Sequence, residues 1–256
     1  MTVDLAHDVH GQPGAPWLLL GASLGSTRDM WQAQLEALAE AFRVVRFDTR
    51  GHGASPVPPG PYAMADLAAD VLRLADRLGA ERFAYAGVSL AGGLGLQIAH
   101  DSPRRLTALV LCCTAARFGD PATWTERAER VRREGTGWLV EANRPRWFTP
   151  AIAGEPADHS ERLLRGIADI PDEGYASCCE ALAEFDARPW LESIEVPTRV
   201  VAGAEDPATP PERTDELAER IPGADLVTVP AASHLGVVEQ PEAFTTAILD
   251  HLTRSR

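Results

Sequence analysis

Short apolar runs alternate with amphipathic segments over most of the chain. Apolar runs of strand length recur along it, at residues 17–20, 44–47, 83–86, 109–112, 199–202 and 226–229. Runs that are apolar almost throughout are typical of strands covered on both faces, as in a parallel sheet. The segments between them carry apolar residues at helical spacing, which predicts helices over residues 30–42, 64–78, 90–100, 211–221 and 242–252. Strands that alternate with helices predict a doubly wound, mostly parallel α/β sheet.

The alternation is interrupted over residues 114–191. This segment has helical patterns without convincing strands, and several prolines divide it into short pieces. We therefore expect a core of residues 1–113 and 192–256 and a helical lid of residues 114–191. Ligands in such folds bind at the carboxyl edge of the sheet, where this insertion is placed. The segment contains four of the six tryptophans, and we expect Trp124 and Trp147 to wall the substrate pocket.

Composition and charge restrict the possible partners. The 256 residues are 45% hydrophobic and 24% charged, which is ordinary for a soluble globular protein with one main domain. There are 24 lysines and arginines against 37 acidic residues, a formal charge of -13. This balance argues against nucleic acid or an anionic membrane as partner, because both need clustered positive charge. An anionic substrate would need a local positive site, and the arginine-rich stretch 127–146 is the only obvious basic region. A solvated helix face explains the same stretch.

No apolar run approaches the ~20 residues needed to span a bilayer, and the N-terminus lacks the pattern of a secretory signal. The four cysteines form two adjacent pairs, 112–113 and 178–179, without the CxxC spacing of zinc sites. We expect them to be reduced and buried. These features favour a cytoplasmic protein that holds no metal, and they leave a homo-oligomer open.

A serine nucleophile is indicated by the sequence Gly87-Val88-Ser89-Leu90-Ala91. It follows the apolar run 83–86 and opens a predicted helix. A GxSxG elbow needs this setting, because a sharp strand-to-helix turn exposes the serine hydroxyl. Here the second glycine is replaced by Ala91, whose methyl group we expect to fit. A glycine-rich turn without catalysis is the alternative.

The acid and the base follow in the order that this chemistry uses, serine, then acid, then histidine. The run ending at residue 202 is followed by Glu205 and Asp206, and Asp206 is the better candidate because Pro207 fixes the turn after it. The run ending at residue 229 is followed by His234. The other histidines have simpler explanations at helix ends, in the insertion, ahead of the core or in a glycine-rich loop, namely His100, His251, His159, His7, His10 and His52.

An oxyanion hole is expected from two backbone N–H groups. One belongs to Leu90, directly after the nucleophile. The loop at residues 21–26 follows an early strand, and Leu24 is the second donor by position. Ser23 in the same loop is expected to border the substrate pocket.

With these residues placed, the chain resembles the 3-oxoadipate enol-lactonases within the α/β-hydrolase superfamily, over almost its whole length. The motifs that carry the resemblance are residues 23–25 followed by Met30-Trp31, residues 146–150 (RWFTP), residues 174–182 (GYASCCEAL) and residues 202–211 (AGAEDPATPP). The family's asparagine before the first motif is Ala22 here. The resemblance implies hydrolysis of 3-oxoadipate enol-lactone to 3-oxoadipate in the beta-ketoadipate pathway of aromatic catabolism, through an acyl-enzyme on Ser89 and without a cofactor.

Other functions use the same triad. A general esterase, a cofactor-free haloperoxidase-like esterase or a carbon–carbon bond hydrolase would differ mainly in the lid. A non-catalytic binding module would not need an intact triad, and a dehydrogenase would need a GxGxxG after an early strand, which is missing. The sequence also does not decide which residue binds a substrate carboxylate. The eligible residues are Arg127, Arg130, Arg133, Arg144 and Arg146.

Overall fold

The computed structural model describes residues 1–153 and 158–255. In this part of the chain, seven strands form one sheet in the order β1-β3-β2-β4-β5-β6-β7. The strands are β1 (His7–His10), β2 (Trp17–Gly21), β3 (Arg43–Phe47), β4 (Phe83–Val88), β5 (Leu106–Cys112), β6 (Thr198–Gly203) and β7 (Asp225–Val229). All neighbours are parallel except β1 and β3. The predicted strands and the mostly parallel α/β sheet are confirmed.

The helices cover the sheet and extend beyond it. They are α1 (Leu35–Ala41), α2 (Met64–Leu78), α3 (Leu90–Asp101), α4 (Pro121–Glu134), α5 (Leu139–Trp147), α6 (Pro150–Ala153), α7 (Asp158–Gly166), α8 (Asp172–Glu184), α9 (Pro211–Arg220), α10 (Gly236–Glu239) and α11 (Pro241–Arg254). Every residue of β4 and of β6 is buried, because helices cover both faces of the sheet. None of the described helices is long and apolar enough to cross a membrane.

The edge strand β1 is missing from the sequence prediction, which places His7 and His10 ahead of the core. In the structure His7 lies opposite Phe47 and His10 opposite Val44, in antiparallel register. All residues of β1 are only partly buried. An edge strand of four mostly polar residues has no apolar run, so the hydrophobic pattern does not reveal it.

The first predicted helix, over residues 30–42, is shorter than expected. A 3-10 turn at Arg28–Trp31 precedes α1, and the two are separate elements. Trp31 is fully buried, and its indole N–H donates to the carbonyl of Gly21 at 3.0 Å. This contact holds the turn against β2, so the segment does not continue as one regular helix.

The segment between β5 and β6 holds α4 to α8 and no strand among its described residues. Residues 154–157, with Pro156 among the expected breaks, lie outside the described residues. The last α-helix of the segment between β5 and β6, α8, crosses the loop after β3, and the two backbones approach very closely there. A Cβ added to Gly174 would lie 2.2 Å from the carbonyl oxygen of Gly51, and one added to Gly51 would lie 2.4 Å from the Cα of Gly174. Only glycine fits on either side, so this crossing fixes α8 over the core.

We predict that Gly174→Ala lowers the free energy of unfolding by ~1–3 kcal/mol, because the new methyl group meets backbone that cannot move aside. Alanine at a helical position otherwise stabilises relative to glycine by up to ~1 kcal/mol, so the sign of the change is diagnostic. Gly166→Ala is the matched control, since a Cβ there has nothing within 4 Å. Urea unfolding of both variants checks this, and a neutral or stabilising Gly174→Ala contradicts it.

Candidate active site

Ser89 lies in the turn between β4 and α3 with a strained backbone. Its φ is 56° and its ψ is -117°, a region that non-glycine residues rarely adopt. The backbone is held on both sides, because Ser89 N–H donates to the carbonyl of Cys112 at 3.0 Å and the Thr114 hydroxyl donates to the carbonyl of Ser89 at 2.7 Å. This is the geometry that a nucleophile elbow requires.

The elbow needs space around it. A Cβ on Gly87 would lie 2.3 Å from the carbonyl oxygen of Ala91, so the strand end can pass the helix only as glycine. Ala91 occupies the position where the motif has its second glycine. Its methyl group fits because β2 carries Gly21 opposite it, where an added Cβ would lie only 2.6 Å from the Cβ of Ala91.

Asp206 and His234 meet at the carboxyl edge of the sheet, after β6 and β7. His234 Nδ1 lies 2.8 Å from Asp206 Oδ2, and both side chains are buried. The other carboxylate oxygen of Asp206 accepts from the N–H groups of Ala208 at 2.7 Å and of Thr209 at 3.0 Å. The Thr209 hydroxyl donates to Oδ2 at 2.6 Å. Three donor groups on Ala208 and Thr209 therefore hold the carboxylate that orients the imidazole of His234.

The neighbouring acid, Glu205, is not part of this contact. It is exposed, and the structure brings Asp206 rather than Glu205 to His234. Burial by itself would raise the pKa of Asp206, but the nearby charge of His234 and the hydrogen bonds from His234 and Thr209 lower it below its ordinary value. Asp206 is therefore ionised at neutral pH and can stabilise an imidazolium at His234.

Ser89 and His234 line the same cavity, together with Ser23, Leu24 and Trp147. The described contacts include no hydrogen bond between the Ser89 hydroxyl and His234. Such contacts often tighten only when a substrate is bound, so the arrangement is compatible with proton transfer between the two.

The backbone N–H groups of Leu24 and Leu90 are available for an oxyanion. Leu24 borders the same cavity as Ser89, and Leu90 is the first residue of α3. In the described part of the chain neither N–H donates to another group. By contrast, the N–H groups of the adjacent residues do, Gly25 beside Leu24 and Ser89 beside Leu90. Leu90 has no partner within α3 because the first N–H groups of a helix have none.

His52 holds the loop at residues 21–26 in place. Its Nε2 accepts a hydrogen bond from the N–H of Gly25 at 3.0 Å, directly after Leu24. Gly25 has a φ of 80°, which gives the loop its tight turn. Burial lowers the pKa of His52 from 6.5 to about 4, so the ring is neutral at physiological pH and Nε2 can accept. The structure thus agrees with a structural role for this histidine.

The cavity at Ser89 is small, about 30 Å³, and it adjoins a wider one of about 270 Å³. The residues that border both are Phe118, Trp124, Arg127, Arg146, Ala208 and Thr209. Trp124 and Trp147, the tryptophans expected to wall the pocket, both border the cavity at Ser89. Trp147 is almost fully buried, whereas Trp124 is half-buried.

Three of the arginines that the sequence left eligible are held by glutamates away from the cavity. Arg130 and Arg133 both pair with Glu134, at 2.7 Å and 3.5 Å. Arg144 pairs with Glu161 at 2.8 Å. These pairs form a solvated face, which is the simpler of the two explanations considered for this stretch.

Arg127 and Arg146 differ from the others because both border the cavity with Ser89 and His234. Among the described residues, neither has a carboxylate within ion-pair distance. Burial lowers the pKa of Arg146, and the neighbouring charge of Arg127 lowers it further. Arg127 donates weakly to the Tyr175 hydroxyl at 3.4 Å. Two adjacent cations without an anion leave this end of the cavity positively charged.

Comparison with known proteins agrees with this geometry. A family model described as the alpha/beta hydrolase fold matches residues 9–241. The chain belongs to the α/β-hydrolase family. It is similar to 3-oxoadipate enol-lactonase 2 of Acinetobacter baylyi, with 39% identity over 96% of this chain and 92% of that protein. The crystal structure of the enol-lactonase from Burkholderia xenovorans LB400 superposes with a TM-score of 0.95 and 40% identity, covering 98% of this hydrolase and 97% of that chain.

Relatives with another named activity also match this hydrolase. A protein of Caulobacter sp. strain K31, provisionally named a carbamate hydrolase, is 34% identical over 98% of this chain and 97% of its own length. The fold and the general hydrolase role are common to these proteins. The substrate therefore has to be argued from the residues that border the cavity.

Two residues that support Asp206 and the loop of His234 are not predicted from the sequence of this hydrolase. Thr209 bonds to Asp206 three residues earlier, a spacing that an Asx-type turn could have suggested. Glu239 is buried beside the His234 loop, where its carboxylate accepts from the N–H of Ser233. A lone glutamate in a short helix gives no signal of this kind in the sequence.

The four cysteines of the hydrolase are free and buried. Burial raises the pKa of the Cys178 thiol to about 12, so it stays protonated at neutral pH. Over residues 1–153 and 158–255 there is no cluster of three histidine, cysteine or acidic side chains that could hold a metal ion.

We predict a pH-dependent loss of stability that originates at His52. Its folded pKa of about 4 lies below the unfolded value of 6.5, so this contribution is complete above pH 6.5 and is lost as the pH falls towards 4. His52→Gln keeps an acceptor for Gly25 and does not titrate. Between pH 6.5 and 4.5, the free energy of unfolding should fall more steeply in wild type than in the variant, by up to ~1.4 kcal/mol per pH unit. Parallel urea titrations check this, and equal slopes contradict it.

Proposed function

We propose that this hydrolase uses Ser89 as a nucleophile, His234 as general base and acid, and Asp206 as the orienting carboxylate. The observation that carries the proposal is the buried Asp206–His234 contact at the cavity that contains the strained Ser89. His234 Nε2 takes the serine proton as Ser89 Oγ attacks a substrate carbonyl carbon. Asp206 then faces a positively charged ring, which its carboxylate stabilises.

The tetrahedral oxyanion accepts hydrogen bonds from the N–H groups of Leu24 and Leu90. Collapse of the intermediate breaks the bond between the acyl carbon and the leaving oxygen, and His234 gives the proton that it took from Ser89 to the departing enolate. The acyl group stays on Ser89, and His234 is neutral again. Water, deprotonated by His234, then attacks the acyl carbon and releases the acid. His234 returns its proton to the Ser89 oxygen at this step, so the triad is restored.

We propose 3-oxoadipate enol-lactone, a small anionic lactone, as the substrate. Arg127 and Arg146 border the cavity, and no carboxylate of the described residues pairs with either, which supports a site for a substrate carboxylate. Charge-assisted hydrogen bonds of this kind contribute ~1.5–3 kcal/mol each. The names of the enol-lactonase relatives support the same class.

Ring opening of an enol-lactone fits the residues of the site. The leaving group is an enolate, which is stabilised by delocalisation and needs less protonation than an alkoxide or an amine. His234, which borders the same cavity as Ser89, can supply a proton to the leaving group. An enol-lactone therefore makes smaller demands on this site than a carbamate, a carbon–carbon bond or a plain ester would.

We also propose that residues 114–191 act as the lid of this site. The segment supplies Trp124, Arg127, Arg146 and Trp147 to the cavity that contains Ser89. The core supplies the reacting groups. In this division of roles the chemistry belongs to the loops of the sheet, and the choice of substrate belongs to the helices above it.

For the triad, we predict that Ser89→Ala lowers kcat by ~10³-fold or more and abolishes labelling by a fluorophosphonate probe. Asp206→Asn should lower kcat by ~10²- to 10⁴-fold, because the amide favours the wrong imidazole tautomer. Glu205→Gln is the matched control and should keep wild-type kcat. Rates on an activated ester and on the enol-lactone measure all three. A folded Ser89→Ala enzyme with full activity rejects the proposal.

For the substrate, we predict that the free acid of the lactone is hydrolysed with ~10- to 150-fold higher kcat/KM than its methyl ester. Arg146→Gln should remove most of this preference by slowing the acid, while the methyl ester keeps its rate. Arg133→Gln, which changes an arginine already paired with Glu134, should leave the preference intact. Equal rates for acid and ester in wild type, or faster turnover of a p-nitrophenyl alkanoate, would make the protein a general esterase.

A further inference from the structure

The loop that carries His234 is joined directly to the part of the lid that borders the cavity. Leu235 N–H donates to the carbonyl of Trp147 at 3.0 Å. The Ser233 hydroxyl donates to the carbonyl of Arg146 at 3.2 Å. The residues on either side of His234 are thus bonded to Arg146 and Trp147, two of the lid residues that border the cavity.

A buried carboxylate closes this junction. Glu239, the last residue of α10, is 7% exposed. One of its oxygens accepts from both the N–H and the hydroxyl of Thr149, at 2.6 Å and 2.8 Å. The other oxygen accepts from the N–H of Ser233. The carboxylate therefore bridges Thr149, two residues after Trp147, to the residue before His234.

Glu239 has no basic partner to compete for its oxygens. Among residues 1–153 and 158–255, no arginine, lysine or histidine lies within ion-pair distance of it. A buried carboxylate is costly unless its oxygens are hydrogen-bonded. The three groups that donate to Glu239 lie on Thr149 and Ser233. Moving either segment away would leave the buried carboxylate without some of its hydrogen bonds, so both segments are held in fixed positions.

We propose that Glu239 is a positioning residue that fixes His234 relative to the lid segment of Arg146 and Trp147. The base and the cationic end of the cavity then keep one mutual geometry, so a substrate held by the lid presents its carbonyl to Ser89 while His234 is in place. This inference rests on the proposed function, because it takes His234 as the base. Displacement of a catalytic group by about 1 Å can cost ~10²-fold in rate.

Two substitutions weaken the bridge without changing the shape of the side chains. Glu239→Gln replaces one acceptor oxygen by an NH₂ group, which cannot accept from either backbone N–H. Thr149→Val removes only the hydroxyl that donates to Glu239, and Thr149→Ser restores it. Thr198→Val is the matched control, because it also deletes a buried threonine hydroxyl, bonded to the carbonyl of Val196 at 2.7 Å. Thr198 begins β6 at the end of the sheet opposite to the cavity.

The experiment measures the rate of fluorophosphonate labelling at Ser89, together with kcat and KM for p-nitrophenyl acetate, well below the melting temperature of each variant. We expect Glu239→Gln to slow labelling and lower kcat by ~10- to 10²-fold with KM nearly unchanged. Thr149→Val should lower both by ~2- to 10-fold, as expected for one hydrogen bond. Thr149→Ser and Thr198→Val should keep wild-type rates.

Wild-type labelling rates in folded Glu239→Gln and Thr149→Val, even with lowered melting temperatures, overturn the inference and leave the proposed function intact. If Glu239→Gln does not fold, Thr149→Val against Thr149→Ser decides in the same way. A Thr198→Val enzyme slowed as much as Thr149→Val also overturns it, since the effect would then be general. Absence of labelling at Ser89 in wild type rejects the proposed function and the inference with it.

Discussion

The site depends on one constraint, the parallel pairing of β2, β4, β5, β6 and β7, because it brings their carboxyl ends to one edge. Gly21 at the end of β2 lies opposite Gly87, one residue before the end of β4, so the loop that contains Leu24 and the turn that contains Ser89 start side by side. β6 and β7 are likewise neighbours, and the loops after them carry Asp206 and His234. Residues far apart in sequence thus meet because each directly follows a strand of one sheet.

The protein as a whole is acidic, whereas the cavity at the carboxyl edge of the sheet is bordered by positively charged side chains. The protein carries a formal charge of -13, and seven of the ten arginines in residues 114–191 pair with a glutamate or an aspartate among the described residues. Arg127 and Arg146 keep their charge directed at the cavity because no carboxylate reaches them among the described residues. An unpaired, half-buried cation raises the free energy of the empty site, and an anionic substrate offsets that cost on binding. We infer that the lid selects by charge, whereas the core performs a reaction shared by many hydrolases.

The sequence alone was sufficient for the parts that follow regular patterns. Buried strands gave continuous apolar runs, and Ser89 and His234 could be placed because each directly follows such a run. It was insufficient for β1, whose four residues at the sheet edge are half-exposed and mostly polar. It also could not separate Arg146 from Arg130, because the helix register that turns one towards the cavity and the other towards Glu134 depends on tertiary packing. Gly51 with Gly174, and Glu239 with Thr149, are contacts between distant segments that leave no local signal.

The central claim is that Ser89 attacks a carbonyl whose oxygen is received by Leu24 and Leu90. A crystal structure of the protein after reaction with a small phosphonate ester tests it most directly, because the tetrahedral phosphorus stands in for the tetrahedral carbon of the reaction. The account predicts a covalent bond from Ser89 Oγ to phosphorus, with a phosphonyl oxygen ~2.7–3.1 Å from the N–H nitrogens of Leu24 and Leu90. It also predicts His234 Nε2 within hydrogen-bond distance of Ser89 Oγ. An adduct on another side chain, or a phosphonyl oxygen directed away from both N–H groups, would contradict it.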